Sequence, residues 1–280
     1  MSVDHVVVVV RHLPAAMEDF SKLGFRVVPG GRHEGGLTHN ALIVFEDGSY
    51  LELFAPTAPW IMRVLAMLKR LGLLGWITSN RSAIVRRFLE HVAGGEGFAD
   101  IALLSSNLDR QLAAAREQGL ALDGPLPGGR TRPDGQQVQW RFGVPLANGL
   151  PFLIEDLTAR ALRVPEGDVR QHANGVRGIA GIVVEVPDLS RAAASYGALV
   201  GIANDSGMRA SPTSTRTRDF RVGTAVITLV ERADRTAASG DSSTAAPRRF
   251  SLVLRTADKA AVGPLDSRQT HNAAIELAAS

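Results

Sequence analysis

The 280-residue sequence has no cysteine. Disulfides, thiolate metal sites and a cysteine nucleophile are therefore excluded, and the composition fits a reducing, cytoplasmic setting. Lysine is almost missing too: Lys22, Lys69 and Lys259 are the only ones, and acidic residues dilute the arginines to a formal net charge of +3. No basic block interleaves with aromatic residues, so nucleic acid is not an expected partner. Nor is there an uninterrupted apolar run of membrane-spanning length. The longest candidate, "PWIMRVLAMLKRLGLLGWIT" from Pro59 to Thr78, is broken by Arg63, Lys69 and Arg70, which predicts no membrane span and a helix packed on the protein in preference to one lying at a bilayer surface, for which the basic residues are few. The N-terminal "MSVDHVVVVVRHLP" has neither a basic leader nor a small-residue cleavage site, so it reads as a buried strand and not as a signal peptide. Walker, dinucleotide-binding and Ser-His-Asp motifs are absent in any fitting context.

What is present is a soluble-protein composition, 45% hydrophobic and 21% charged, in a chain long enough for one large domain or two ordinary ones. It also carries a repeat. "VVPGGRHEGG" begins at Val27 and "PLPGGRTRPDG" at Pro125. Around the first lies an apolar strand from Val3, then Leu13, Met17, Phe20 and Leu23 at helical spacing, the short strand "FRVV", the Pro-Gly-Gly-Arg loop, and the strands "THNALIVF" and "YLELFA". The same order recurs from "FADIALLSS" through "QQVQWRFG" to "LPFLIEDL", and a third time from "GIAGIVVEV". "RRFSLVLRT" with "THNAAIELAAS" reads as a shortened fourth copy, its Thr270 to Ala273 echoing Thr38 to Ala41. "RASPTSTRTRDFR" reads as a surface loop and "ADRTAASGDSSTAAPRR" as a flexible one. The expected class is α+β, built from βαβββ units, with a helical insertion at about residues 57–95. Residues 1–170 would hold the first pair of units, and residues 171–280 a degenerate third and a shortened fourth.

On "DHVVVVVRHLPAAMEDFSKLGFRVVPGGRHEGGLTHNALIVFEDGSYLELFAP", and more loosely on the later copies, the chain resembles the vicinal-oxygen-chelate superfamily, and within it bacterial glyoxalase-like proteins. The resemblance implies paired βαβββ units whose curved sheets cup one small-molecule site. It also implies metal ligands on the first and fourth strands of each unit, and it is compatible with a homodimer. Carried over, those positions are His5 and Glu52 in the first unit, with Asp100 and Glu155 opposite them in the second. His5, Glu52 and Asp100 are then the implied metal ligands, for Mg²⁺, Mn²⁺, Ni²⁺ or Zn²⁺, an oxygen-rich set. Glu52 or Glu155 would move a proton beside a carbonyl, as in lyase, isomerase or epimerase chemistry. The third unit has Gly181 and Thr228 at the His5 and Glu52 positions and cannot repeat the set; Glu276 would be a remnant.

Read as residues alone, Glu52 is the hardest to explain without a site, because a carboxylate flanked by apolar residues on a central strand needs a partner. Gly-Gly in the repeated loop serves backbone conformation, but arginine does not. Arg32 and Arg130, in corresponding places, are therefore candidates to bind a substrate oxygen. His39 and Asn40 could orient a polar ligand. Gln137, Gln139 and Arg141 form a polar face on their strand, suited to solvent or to a wet cup, and Gln139 and Arg141 join the substrate-binding candidates. The alternative to an enzyme is a metal-free protein that binds or sequesters a small molecule in the same cup.

Overall fold

The computed structural model describes residues 1–33, 35–147, 149–201, 209–210, 216–232 and 250–280. The first unit runs β1 (Ser2–Val9), α1 (Leu13–Lys22), β2 (Val28–His33), β3 (Thr38–Val44) and β4 (Tyr50–Pro56). Three helices follow as an insertion, α2 (Trp60–Arg70), α3 (Leu74–Ile77) and α4 (Ala83–Gly94). The second unit is β5 (Gly97–Leu104), α5 (Leu108–Glu117), β6 (Leu122–Thr131), β7 (Gln137–Pro145) and β8 (Phe152–Asp156), and the short helix α6 (Arg160–Arg163) leads out of it. These strands close into a barrel of order β1-β4-β3-β2-β6-β7-β8-β5. A second, seven-stranded sheet takes the rest: β9 (Val176–Val186), α7 (Leu189–Val200), β10 (Arg209–Ala210), β11 (Arg216–Val222), β12 (Ala225–Glu231), β13 (Phe250–Thr256), β14 (Gly263–Pro264) and β15 (Ala274–Ala279).

Local sequence accounts for the helices. Pro14 sits in the first turn of α1, where its missing N–H costs nothing, and Gly24 leaves that helix at φ +87°. Asn107 and Asp188 cap α5 and α7 by accepting the amides of Arg110 and Arg191. Strand alternation then divides the apolar residues between two sides. Val6, Val8 and Val10 pack in a core with Leu13, Ala16 and Phe20 of α1, a core that continues into the second sheet through Ile182, Leu252 and Leu254. Val7 and Val9 face the other way, onto Phe54 of β4 and Met62 and Val92 of the insertion. The valine run is thus buried on both faces, as its lack of alternation implied.

The repeated Pro-Gly-Gly-Arg segments are not loops. They lie inside β2 and β6, and they pair with each other, Arg32 with Thr131 and His33 with Arg130, to close the barrel. Gly31, at φ +142°, permits this closure, because a Cβ there would lie 2.2 Å from the Thr131 carbonyl oxygen.

The third unit keeps the plan, and the register β9–β12 sets Gly181 opposite Val226 and Val183 opposite Thr228, as β1–β4 sets His5 opposite Tyr50 and Val7 opposite Glu52. Of the fourth unit the parallel strands β13 and β15 remain, with the two-residue β14 paired to β15. Its sequence echo is not structural: Thr38 to Ala41 are strand, whereas His271 and Asn272 lie in a turn with positive φ. In "RASPTSTRTRDFR", read as a surface loop, Arg209–Ala210 is strand β10 and the end of the stretch from Arg216 belongs to strand β11; residues 211–215 lie outside the described residues. The whole of "ADRTAASGDSSTAAPRR", residues 233–249, lies outside the described residues.

Candidate active site in the barrel

Glu52 stands at the centre of the barrel, 7% exposed. Parity on β4 puts Tyr50, Glu52 and Phe54 on its inner face and Leu51, Leu53 and Ala55 in the outer core. Asn40 Nδ2 donates to Glu52 Oε1 at 2.6 Å. His5 Nε2 lies 3.2 Å from Oε2, and His33 Nε2 lies 3.4 Å from Oε1. Burial by itself would raise the Glu52 carboxyl, but the hydrogen bonds from His33 and His5, and their charge, hold it well below the usual carboxylate range.

Behind His5 the network continues. Its Nδ1 is 2.7 Å from Oδ2 of Asp4, which is fully buried. Burial would lower the imidazole, yet the bonds to Asp4 and Glu52 prevail and raise it above its ordinary value. The ring is clamped by stacking on Tyr50 at 4.6 Å and by the edge of Phe152. Asp4 in turn accepts Arg163 Nη1 and Nη2 at 2.7 and 3.0 Å and Arg160 Nη1 at 2.6 Å. Burial opposes its ionisation, and the Arg163 charge overrides that and holds it well below the usual range. Arg163 also donates to the Tyr50 hydroxyl and pairs with Asp156. Helix α6 therefore closes one end of the barrel with a buried guanidinium whose donors are taken by Asp4, Tyr50 and Asp156. Removing one member of such a set leaves a charge uncompensated, on the order of 3–5 kcal/mol.

Facing Glu52 across the bore are β6 and β7. Arg130, buried, donates Nη2 to the Arg163 carbonyl at 2.7 Å and Nη1 to Asn40 Oδ1 at 3.4 Å. Its Nε, and Nε1 of Trp140, have no partner among the described residues. Both side chains line the same cavity as Glu52. A buried N–H without an acceptor is costly, on the order of 1–3 kcal/mol, so these two leave donor capacity open in the cavity that Glu52 lines. The cavity itself is about 30 Å³, room for about two waters. Phe88 of α4 fills the rest, against Phe54, Phe142 and Phe152.

Several sequence expectations land elsewhere. Asp100 lies beside Val7 on β5, but both its oxygens are bonded by Arg87 and Oδ2 also meets His91 at 2.8 Å, both of these on α4. The Arg87 charge overrides burial and keeps its carboxyl low. Asp100 thus anchors the insertion and does not join His5 and Glu52. Among the described residues no group of three or more His, Asp or Glu is arranged to hold a metal ion, and the set His5, Glu52 and Asp100 does not fit one. Glu155 pairs with Arg141 and accepts the Leu108 amide at 3.2 Å, outside the bore at the start of α5. On β7 it is the apolar face, Val138, Trp140 and Phe142, that lines the barrel, so Gln139 and Arg141 face outward. Glu276 is exposed.

Arg32 and Arg130 part company because of one residue. Pro29 pairs with Ala41 and Gly31 with Asn40, leaving Gly30 as a bulge in β2; β6 runs through its copy without one. A one-residue slip reverses every following side chain. Arg32 is therefore exposed beside the half-buried His39, its cross-strand partner, while His33 turns inward opposite Arg130. Gly30 has a second role: a Cβ there would sit 2.1 Å from Asn40 Oδ1 and 3.1 Å from Arg130 Nη1. Asp4, His33, Tyr50, Trp140 and Arg163 were not among the sequence candidates. Tyr50 was legible from its parity with Glu52; nothing in the sequence pointed to Arg163.

The family profile of the glyoxalase-like domain matches residues 3–200. The chain belongs to that family. The resemblance to the vicinal-oxygen-chelate superfamily is thereby borne out, and with it the α+β class of paired βαβββ modules. A hypothetical protein from Staphylococcus aureus superposes on the glyoxalase-like chain with a TM-score of 0.70 at 13% identity, covering 99% of each chain. A xylose isomerase-like TIM barrel/4-hydroxyphenylpyruvate dioxygenase fusion protein does so at 0.52 and 16%, over 94% of this chain and 39% of that one. Methylmalonyl-CoA epimerase from Mycobacterium tuberculosis matches at 0.32 and 20% identity, over 56% of this chain and 89% of that one. At their identities the first two likenesses concern fold alone. No curated protein matches in sequence.

Proposed function

We propose that the glyoxalase-like chain is a small-molecule enzyme that moves a proton on a carbon beside a carbonyl, as lyases, isomerases and epimerases do, with Glu52 as the proton acceptor. The observation that carries this reading is the meeting, in one cavity, of a buried carboxylate with two donors that have no partner among the described residues, Arg130 Nε and Trp140 Nε1. A carbonyl or carboxylate oxygen accepting those two N–H groups would gather the negative charge that develops when the adjacent C–H is lost. Glu52, on the opposite wall, would take that proton. With three donors on it Glu52 is a weak base; a ligand that draws away Asn40 or His33 restores its basicity. His33, 18% exposed and 3.4 Å from the carboxylate, offers the proton a way to solvent. His5, locked between Asp4 and Glu52, positions the carboxylate. No step here passes through a metal ion, since the expected ligands do not assemble.

A cavity of about 30 Å³ admits no substrate until Phe88 moves, so turnover in this reading includes displacement of α4. The test is exchange of C–H for C–D in deuterated water, followed by NMR over a panel of small carbonyl acids and thioesters. Exchange by the wild type that is lost in Glu52→Gln supports the reading. Tight binding of a panel member with no exchange in either protein overturns it in favour of a binding protein.

A further inference from the structure

The insertion walls the barrel with one side and leaves the other bare. On α2, Met62 and Leu65 pack toward Val7, Val9 and Phe54. Trp60, Val64 and Met67 of the same helix, with Leu71 just past its end, fall at i, i+4, i+7 and i+11 as a second apolar stripe, and all four are exposed, Trp60 by 63%. Leu73, Trp76 and Ile77 continue it through α3, with Trp76 79% exposed. Folding the barrel uses only the inward stripe, so the outward one is surplus to the fold. Contiguous exposed apolar surface of this kind marks an interaction site.

Charge says what covers it. From Thr57 to Leu89 the chain has six Lys and Arg and no Asp or Glu, although the whole chain is only +3 and is therefore net acidic elsewhere. Arg87 is spent on Asp100, but Arg63, Lys69, Arg70 and Arg81 are exposed, and Arg63 and Arg70 share a flank of the stripe one heptad apart. A second copy of this chain is disfavoured as the occupant, since a two-fold contact would set this basic patch against itself. The combination of an apolar stripe, two tryptophans and flanking arginines is that of a helix lying in a lipid headgroup layer. At 11 residues, α2 is about 16 Å long, too short to cross, and no helix among the described residues is long and apolar enough to do so.

We propose that α2 and α3 dock this protein on an anionic bilayer surface, with Trp60, Met67, Leu71 and Trp76 in the interfacial layer and Arg63 and Arg70 against lipid headgroups. This contact is independent of the chemistry in the barrel. The test is flotation of the full chain with vesicles of phosphatidylglycerol in phosphatidylcholine and with vesicles of phosphatidylcholine alone. Tryptophan quenching by brominated lipid reads out depth, and the buried Trp140 serves as the unquenched internal reference. Binding stronger by about tenfold or more to the anionic vesicles is expected, weakened by salt, and lost in Arg63→Glu with Arg70→Glu and in Trp60→Ser with Trp76→Ser. These sites are exposed, so the variants keep the thermal stability of the wild type. Failure to float with anionic vesicles at low salt overturns the proposal, as does salt-insensitive binding that survives both double variants. Concentration-dependent self-association abolished by Trp60→Ser with Trp76→Ser, without vesicle binding, overturns it in favour of a second copy.

Discussion

Glu52→Gln keeps the shape of the side chain and removes its charge, which isolates the electrostatic part of the network. In the wild type the carboxylate accepts Asn40 Nδ2 at 2.6 Å and faces His5 Nε2 and His33 Nε2 at 3.2 and 3.4 Å, all lining the bore. Replacing a charged acceptor by an amide weakens the Asn40 bond and leaves His5 with Asp4 alone, for a loss of about 2–3 kcal/mol. For a chain of this size that is a fall in Tm of about 4–12 °C. The pH dependence follows from the two shifts. Glu52 is depressed in the folded state, so its contribution is present above its unfolded value near 4.5 and is lost as pH falls through the folded value. His5 is raised, so its share is present below 6.5 and is lost as pH rises through its folded value. The gap between wild type and variant is therefore largest from about pH 5 to 6.5 and narrows on both sides. Calorimetry of both proteins across that range measures it. A gap independent of pH, or a variant more stable than the wild type throughout, would falsify the claim that the His5–Glu52 pair is held by charge.

Asp100→Asn strands the Arg87 guanidinium against a neutral partner and is expected to cost about 3 kcal/mol or more in denaturant unfolding, while leaving any bound divalent metal, assayed by elemental analysis, unchanged. Gly30→Ala drives a Cβ into Asn40 Oδ1; proton exchange on the substrate panel falls with it, whereas Arg32→Ala, on the outer face, alters neither exchange nor Tm. Trp140→Phe removes one partnerless N–H, so the unliganded protein keeps or slightly gains stability while affinity for an oxygen-bearing ligand, read by titration calorimetry, drops about tenfold.

Much of the barrel was legible because its signals are local. The valine run after His5 and the helical spacing from Leu13 to Leu23 report period, and the Pro-Gly-Gly-Arg duplication reports a repeat although its segments prove to be strand and not turn; together these announce a βαβββ unit wherever they recur. Glu52 was legible as well, since a carboxylate between Leu51 and Leu53 on an inner strand has no cheap structural explanation. Its neighbours were less so. Asn40 and Arg130 come from other strands and reach it through pairings that no window of sequence displays, although both were among the candidates.

Composition and periodicity determined the units, their order, the helical insertion and the loss of the His5 and Glu52 equivalents at Gly181 and Thr228, because each depends on residues close along the chain. Only the tertiary structure decided which polar residues share a site. The bulge at Gly30 turns Arg32 outward and His33 inward, Arg87 of the insertion claims Asp100, and the apolar face of β7, not the polar one, meets the bore. Each outcome is a competition between partners distant in sequence, where one residue of register or one guanidinium outweighs the preference of the side chain itself.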